Sequence, residues 1–83
     1  MTKDELMSQV TAEVAAAFYM EASSLAAETD LFDLGMDSLR VITIMDRIEK
    51  RFKITLDFYD IFEISPTVTG LTEAVSRALS RNG

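Results

Sequence analysis

The chain has 83 residues, of which 14 are acidic and 8 are basic, and it contains neither histidine nor cysteine. A hydrolase that uses histidine as its base, a cysteine nucleophile and a metal site built on either residue are therefore excluded, so we predict no catalytic and no metal-binding residues. The net charge of −6 argues against nucleic acid as a partner, because phosphate contacts require lysine and arginine. We expect a single domain, residues 1–83, that is not an enzyme by itself.

The first predicted helix runs from Thr2 to about Met20. Thr2 is expected to cap it, and Glu5, three residues later, completes a capping box. The apolar residues that recur at helical spacing on one face are Leu6, Val10, Val14, Ala17 and Phe18.

A long connection follows, over residues 21–35. A loop of this length inside a small domain is uncommon and often functional. The apolar residues expected to anchor it on the core are Leu25, Leu31, Phe32 and Leu34.

The second predicted helix runs from Asp37 to about Phe52. Its charged residues are expected on a solvated face, where pairs such as Asp46 with Lys50 lie one turn apart. The core-facing stripe consists of Val41, Ile44, Met45, Ile48 and Phe52.

Pro66 separates the last two predicted helices. A short third helix is predicted within residues 57–64, and a final helix, capped by Thr67 or Thr69, extends to about Leu79. The predicted fold is therefore all-α: a four-helix bundle of three main helices and one short helix, with a long loop between helices 1 and 2. No apolar run is long enough for a membrane span, and the first residues lack a secretory signal, so we expect a cytoplasmic protein with no membrane partner.

Residues 33–39, DLGMDSL, lead from the long loop into the second helix. Gly35 permits a backbone conformation that other residues resist. Asp37 is suited to cap the helix, which places Ser38 in the first turn. A phosphate ester on Ser38 would face unpaired backbone N–H groups at the positive end of the helix dipole. Taken alone, Asp37 followed by Ser38 is also an ordinary helix start.

In its context this segment resembles a known motif. LFDLGMDSL is similar to the phosphopantetheine-attachment motif of acyl and peptidyl carrier proteins. The downstream stretch DFYDIFEISPTVTGLTEAV resembles the third-helix and fourth-helix region of the same domains. The similarity covers residues 6–79 and implies the four-helix carrier-protein bundle. The chain is accordingly identified as a carrier protein of the discrete, stand-alone type, expected to act as a monomer.

The resemblance implies that Ser38 receives a covalent 4′-phosphopantetheine, transferred from coenzyme A by a phosphopantetheinyl transferase. Asp37 matches the acidic neighbour that the transferase recognises, and Gly35 matches a residue that frames the attachment point. The thiol of the arm would carry acyl or aminoacyl groups as thioesters. The implied partners are the transferase, a loading enzyme (an adenylation enzyme or an acyltransferase), and downstream synthase or tailoring enzymes.

Residues beyond the core stripe are candidates for a surface on which these partners dock. Met36 could instead anchor the loop, and Leu39 and Ile42 could instead pack beneath it. The predicted docking residues are Met36, Leu39, Arg40, Ile42, Ile61 and Ile64.

The charge of the second helix bears on the pathway. Within its body the basic residues Arg40, Arg47, Lys50 and Arg51 outnumber the acidic residues Asp46 and Glu49. Carriers of the fatty-acid type usually have a heavily acidic second helix, and Arg40 would repel a basic partner. We therefore favour polyketide or nonribosomal peptide biosynthesis. The alternatives are an acyl carrier protein of fatty-acid synthesis and a helical interaction module that carries nothing.

Overall fold

The computed structural model describes residues 1–57 and 66–82. Those residues contain helices and loops but no strand, which confirms the all-α prediction and the long connection between the first two helices. The predicted short helix lies outside the described residues, apart from Asp57, which is not helical. The three α-helices are α1 (Lys3–Ala17), α2 (Ser38–Phe52) and α3 (Val68–Asn82), and two 3₁₀ turns, Ala22–Ser24 and Leu31–Leu34, lie between α1 and α2.

The core lies where α1 packs against both α2 and α3. Each helix buries one apolar stripe, as the 3.6-residue periodicity predicts. Phe18, Met45 and Phe52, which were expected on the core faces, are half-buried at its edge. The largest fully buried apolar side chains are Val10, Val14, Leu31, Val41, Ile44, Ile48, Val68 and Val75.

Local hydrogen bonds set the helix starts. The Thr2 hydroxyl accepts the N–H of Glu5 at 3.2 Å, which confirms Thr2 as the N-cap. The Glu5 carboxylate accepts the Thr2 hydroxyl at 3.0 Å, whereas in a capping box it would accept the Thr2 backbone N–H. The Thr67 hydroxyl accepts the N–H of Gly70 at 3.1 Å, so Thr67 caps α3 and Thr69 does not. At the other end, α3 continues to Asn82, beyond the predicted Leu79.

The end of α1 comes earlier than the apolar pattern predicts. The helix stops at Ala17 because Tyr19 takes a left-handed conformation, with φ 56°. The N–H of Tyr19 donates to Ala16 O at 3.2 Å, and the N–H of Met20 donates to Ala15 O at 3.0 Å. These two bonds form a Schellman motif, in which the left-handed position is usually glycine.

The long loop is fastened to the start of α3. The N–H of Leu31 donates to Pro66 O at 2.9 Å, and the Leu31 side chain is fully buried. Leu25 is also buried, as predicted, but Phe32 and Leu34 are 47% and 38% exposed. The prediction that these two residues anchor the loop on the core is wrong. The 3₁₀ segment is a single turn long, and only its first side chain is buried.

No helix within residues 1–57 and 66–82 is long and apolar enough to cross a bilayer. Each of the three has 15 residues, whereas a span requires about 20.

Candidate prosthetic-group attachment site

Ser38 is the first residue of α2, and its side chain is exposed. Asp37 precedes it with an extended backbone and caps the helix, as predicted. Its carboxylate accepts the N–H of Arg40 at 2.8 Å, and its carbonyl accepts the N–H of Val41 at 2.9 Å. The first turn of α2 is therefore held by its N-cap, and Ser38 is left at the surface.

The amides of Ser38 and Leu39 remain available. Within residues 1–57 and 66–82 neither amide has a hydrogen-bond acceptor, and none of those residues hydrogen bonds to the Ser38 hydroxyl. Unpaired N–H groups at a helix start attract anions, and the helix dipole adds to that attraction. An ester phosphate on Ser38 fits this position, because its oxygens would lie at the positive end of α2.

Gly35 reverses the chain just before the site. It has φ 89° and closes the second 3₁₀ turn, where its N–H donates to Phe32 O at 3.1 Å. A Cβ built on Gly35 would meet no atom within 4 Å. The position therefore demands glycine for its left-handed backbone and not for lack of space.

Met36 does not lie on the surface. Its side chain is 8% exposed and lies among core residues of the loop, α2 and α3, including Leu31, Ile44 and Leu71. The N–H of Met36 donates to Leu31 O at 3.3 Å, and this bond helps to hold the residue in the loop closure. Met36 therefore anchors the loop, which was the alternative that the sequence left open. The prediction that Met36 is an exposed docking residue was wrong.

Leu39 and Ile42 lie on the outer side of α2. They are 73% and 57% exposed, so the alternative in which both pack beneath the loop does not hold. Phe32 and Leu34, in the turn that leads to Ser38, add two exposed apolar side chains that the sequence assigned to the core. We call Phe32, Leu34, Leu39 and Ile42 the apolar patch. Ile61 and Ile64, the remaining predicted apolar docking residues, lie outside the described residues.

Arg40 directs its side chain towards the end of α1. Its guanidinium donates from Nη1 to Ala17 O and lies 5.3 Å from the ring centre of Phe18 and 5.7 Å from that of Tyr19. The last turn of α1 has no basic residue of its own, and Arg40 supplies the cation that a helix carboxyl end favours. The prediction that its charge opposes a basic partner stays a prediction, because no carboxylate among the described residues pairs with this guanidinium.

The other basic residues of α2 also have partners inside the chain. Arg47 and Arg51 bind Glu13 of α1 at 3.0 and 2.6 Å, and Lys50 pairs with Asp46 at 3.0 Å as predicted. The two arginines are solvated as predicted, with side chains 44% and 41% exposed, but their ion-pair partner is on α1 and not on α2. They reach across to α1 because Glu13 lies in the packed region between the helices, where its side chain is 12% exposed.

A groove of about 360 Å³ lies between the end of α1 and the first half of α2, with Asp37 on its border. Tyr19, whose side chain is 91% exposed, forms part of its wall, and Arg40 lies beside it. Sequence reasoning missed Tyr19, because the apolar stripe carried the predicted helix past it and a left-handed tyrosine has no local signature.

A family model for the phosphopantetheine attachment site matches residues 8–75. The chain is also 29% identical over 83 residues to polyketide synthase 2 of Metarhizium acridum (strain CQMa 102), covering 93% of this chain. It is 28% identical over 80 residues to polyketide synthase 2 of Metarhizium anisopliae (strain ARSEF 549), covering 96% of this chain. The aligned region is 4% of each relative's length. The chain belongs to the phosphopantetheine-attachment family, the carrier domains that hold 4′-phosphopantetheine covalently.

Proposed function

We propose that Ser38 holds the 4′-phosphopantetheine and that the protein carries acyl intermediates of polyketide biosynthesis as thioesters on it. The observation that carries this proposal is the exposed Ser38 hydroxyl at the start of α2, next to two amides that have no acceptor among the described residues. Once attached, the group supplies a thiol at the end of a long arm. The choice of polyketides follows the two relatives, whose names describe polyketide synthases.

The chain's own part in loading is to present and orient Ser38. A serine hydroxyl becomes a nucleophile when a base takes its proton. The chain has no histidine, and the carboxylate next to Ser38, that of Asp37, is engaged in capping α2. A phosphopantetheinyl transferase would therefore supply the base and bind coenzyme A. The Ser38 oxygen would bond to the phosphorus next to the pantetheine as the pyrophosphate linkage breaks, and 3′,5′-adenosine bisphosphate would leave.

The apolar patch is the proposed docking surface for this transferase and for the enzymes that load and use the cargo. Exposed apolar side chains that flank a modified residue are typical of an interaction site. The exposed carboxylates of Asp33 and Asp37 lie in the same part of the chain, whereas three cations of α2 pair with carboxylates of the same chain. These features favour partners with an apolar surface bordered by basic residues.

The contacts between α2 and α1 also weaken the sequence argument against fatty-acid synthesis. The sequence argument against it relied on free cations along α2, but Arg40, Arg47 and Arg51 are directed towards α1. The charge of α2 is therefore a weaker argument against fatty-acid synthesis than the sequence alone suggests. What supports the polyketide proposal over fatty-acid synthesis or nonribosomal peptide synthesis is the pair of relatives.

Intact-mass measurement tests the attachment. The protein is incubated with coenzyme A, Mg²⁺ and a broad-specificity phosphopantetheinyl transferase. We expect a gain of one phosphopantetheine in the wild type and in Ser76→Ala, which removes an exposed serine of α3, and no gain in Ser38→Ala. An unmodified wild type with several transferases would overturn the proposal.

Cargo is tested on the modified protein. It is incubated separately with a malonyl-transferring acyltransferase and with each of a set of adenylation enzymes, every enzyme having its own substrates. Thioester formation with the acyltransferase alone supports the polyketide or fatty-acid proposals. Loading by an adenylation enzyme alone would move the assignment to nonribosomal peptide synthesis.

A further inference from the structure

We propose that Arg40 is a positioning residue for the loading of Ser38, because it fixes the first turn of α2 against the end of α1. This inference rests on the proposed function and adds to it a residue that acts before any cargo is bound. Arg40 makes contacts in two directions. Its backbone N–H donates to Asp37, next to Ser38, and its side chain reaches the last residues of α1.

The side-chain contacts form what we call the Arg40 clasp: Arg40 with Ala17, Phe18 and Tyr19. The guanidinium donates to the Ala17 carbonyl and lies within 6 Å of both ring centres. Its planar shape allows hydrogen bonding at the edge and cation–π contact on the faces at the same time. A lysine could supply the charge and one hydrogen bond but not the flat surface.

Tyr19 shows that the clasp is more than a by-product of core packing. Its left-handed backbone, with φ 56°, is a conformation that glycine adopts with less strain at a Schellman helix end. The tyrosine ring is 91% exposed, so burial in the core does not compensate for that strain. Its contact with Arg40 is the interaction that a glycine at this position would lack.

The other links between α1 and α2 lie further from Ser38. Arg47 and Arg51 bind Glu13 and hold the middle and the far end of α2 against α1. Arg40 is two residues from Ser38 and on the same helical turn. Among the described side chains, it is the ion or hydrogen-bond link to α1 closest to the attachment site. Together with the Asp37 cap and the buried Val41, the clasp therefore helps to set the orientation of the Ser38 hydroxyl relative to the domain.

This dependence matters for an enzyme that must align the Ser38 hydroxyl with coenzyme A. If the first turn of α2 samples other orientations, only the competent fraction binds productively, and the apparent affinity falls by that fraction. The Michaelis constant for the carrier would then rise, whereas turnover of the bound carrier would change little.

The test compares Arg40→Gln and Arg40→Lys with Arg51→Gln, which removes a link to α1 far from Ser38. Amide hydrogen exchange is measured in the free carrier, and transfer kinetics are measured with coenzyme A and a phosphopantetheinyl transferase. For Arg40→Gln we expect protection of the Val41 amide to fall roughly tenfold relative to that of Ile48, and KM for the carrier to rise by a similar factor, with kcat within about twofold. Arg40→Lys should recover part of both effects, and Arg51→Gln should show neither.

Three results would overturn the inference. In the first, both readouts of Arg40→Gln match the wild type. In the second, KM rises without a change in protection, which would make Arg40 a direct contact of the transferase. In the third, Arg51→Gln has the same effects, which would indicate general loosening of the domain. These results differ from failure of the proposed carrier function. If the protein is not a carrier, the wild type stays unmodified, whatever the hydrogen-exchange data show.

Discussion

Glu13 of α1 and Arg51 of α2 form an ion pair across the helix interface, with 2.6 Å between Oε2 and Nη1. The other oxygen of Glu13 binds Nε of Arg47 at 3.0 Å. One carboxylate thus offsets half of the positive charge of these two arginines, which makes α2 less basic than it looks in the sequence. For this reason the residue composition of α2 is a poor guide to the charge that a partner meets.

Replacing Glu13 with Gln should lower the free energy of unfolding by about 1–2 kcal/mol, because the charge is removed and one of the two acceptor oxygens becomes an NH₂ group that faces an arginine. Denaturant unfolding measures the change. Asp46→Asn is the matched control, since it removes an exposed pair with Lys50 and should change stability by less than about 0.5 kcal/mol. Equal effects of the two substitutions would contradict this account of the interface.

Ser38→Ala should change the free energy of unfolding by less than about 0.5 kcal/mol, because Asp37 caps α2 and the serine hydroxyl is exposed. Asp37→Ala should instead destabilise the protein by about 1 kcal/mol, since the Arg40 amide loses its acceptor. Thermal melting of both variants checks the contrast. A large loss of stability in Ser38→Ala would give the serine a structural role and weaken its assignment as a modification site.

Gly35→Ala should destabilise the protein by about 1–2 kcal/mol, because alanine is strained at φ 89°. The strain is the only expected penalty, since a Cβ at this position meets no atom within 4 Å. Gly35→Asn should therefore lose less stability than Gly35→Ala, as asparagine tolerates the left-handed region better. If alanine and asparagine were equally destabilising, crowding and not backbone strain would be the cause.

Features set by neighbours in the chain were predictable from the sequence. The apolar stripes gave the three long helices, and the caps Thr2 and Asp37 lie within three residues of the amides that they bind. The attachment residue, Ser38, follows from the same local signals together with the family motif. The proposed site could therefore be located before its geometry was known.

Features set by distant residues were not predictable in this way. Arg40 and Ala17 are 23 positions apart, and Arg47 and Glu13 are 34 apart, so no local pattern pairs them. Exposed and buried leucines of the loop also look alike in the sequence: Leu31 is buried and Leu34 is not. The backbone hydrogen bond from Leu31 to Pro66 joins segments that are far apart in the sequence, so no local pattern marks Leu31 as the buried one.

Met36→Ala should lower the free energy of unfolding by about 2–4 kcal/mol, because it removes a long side chain from a packed position beneath the loop. Met36→Leu, which nearly conserves volume, should lose less than about 1.5 kcal/mol. Denaturant unfolding of the two variants measures both effects. A Met36→Ala variant of wild-type stability that failed to bind partners would restore the docking role that the structure argues against.

Leu39→Ser should leave stability within about 0.5 kcal/mol of the wild type, because the side chain is 73% exposed and packs on little. If the apolar patch is the docking surface, the same change should raise KM for the carrier in phosphopantetheinyl transfer roughly tenfold, the loss that an apolar contact at an interface typically produces. Ile42→Ser, one turn further along α2, should act in the same direction. Thr43→Ser, at an exposed position next to Ile42, is the control and should change neither stability nor KM appreciably. Normal transfer kinetics in both Leu39→Ser and Ile42→Ser would show that the transferase docks elsewhere, whereas a loss in Ile42→Ser alone would place its contact further along α2.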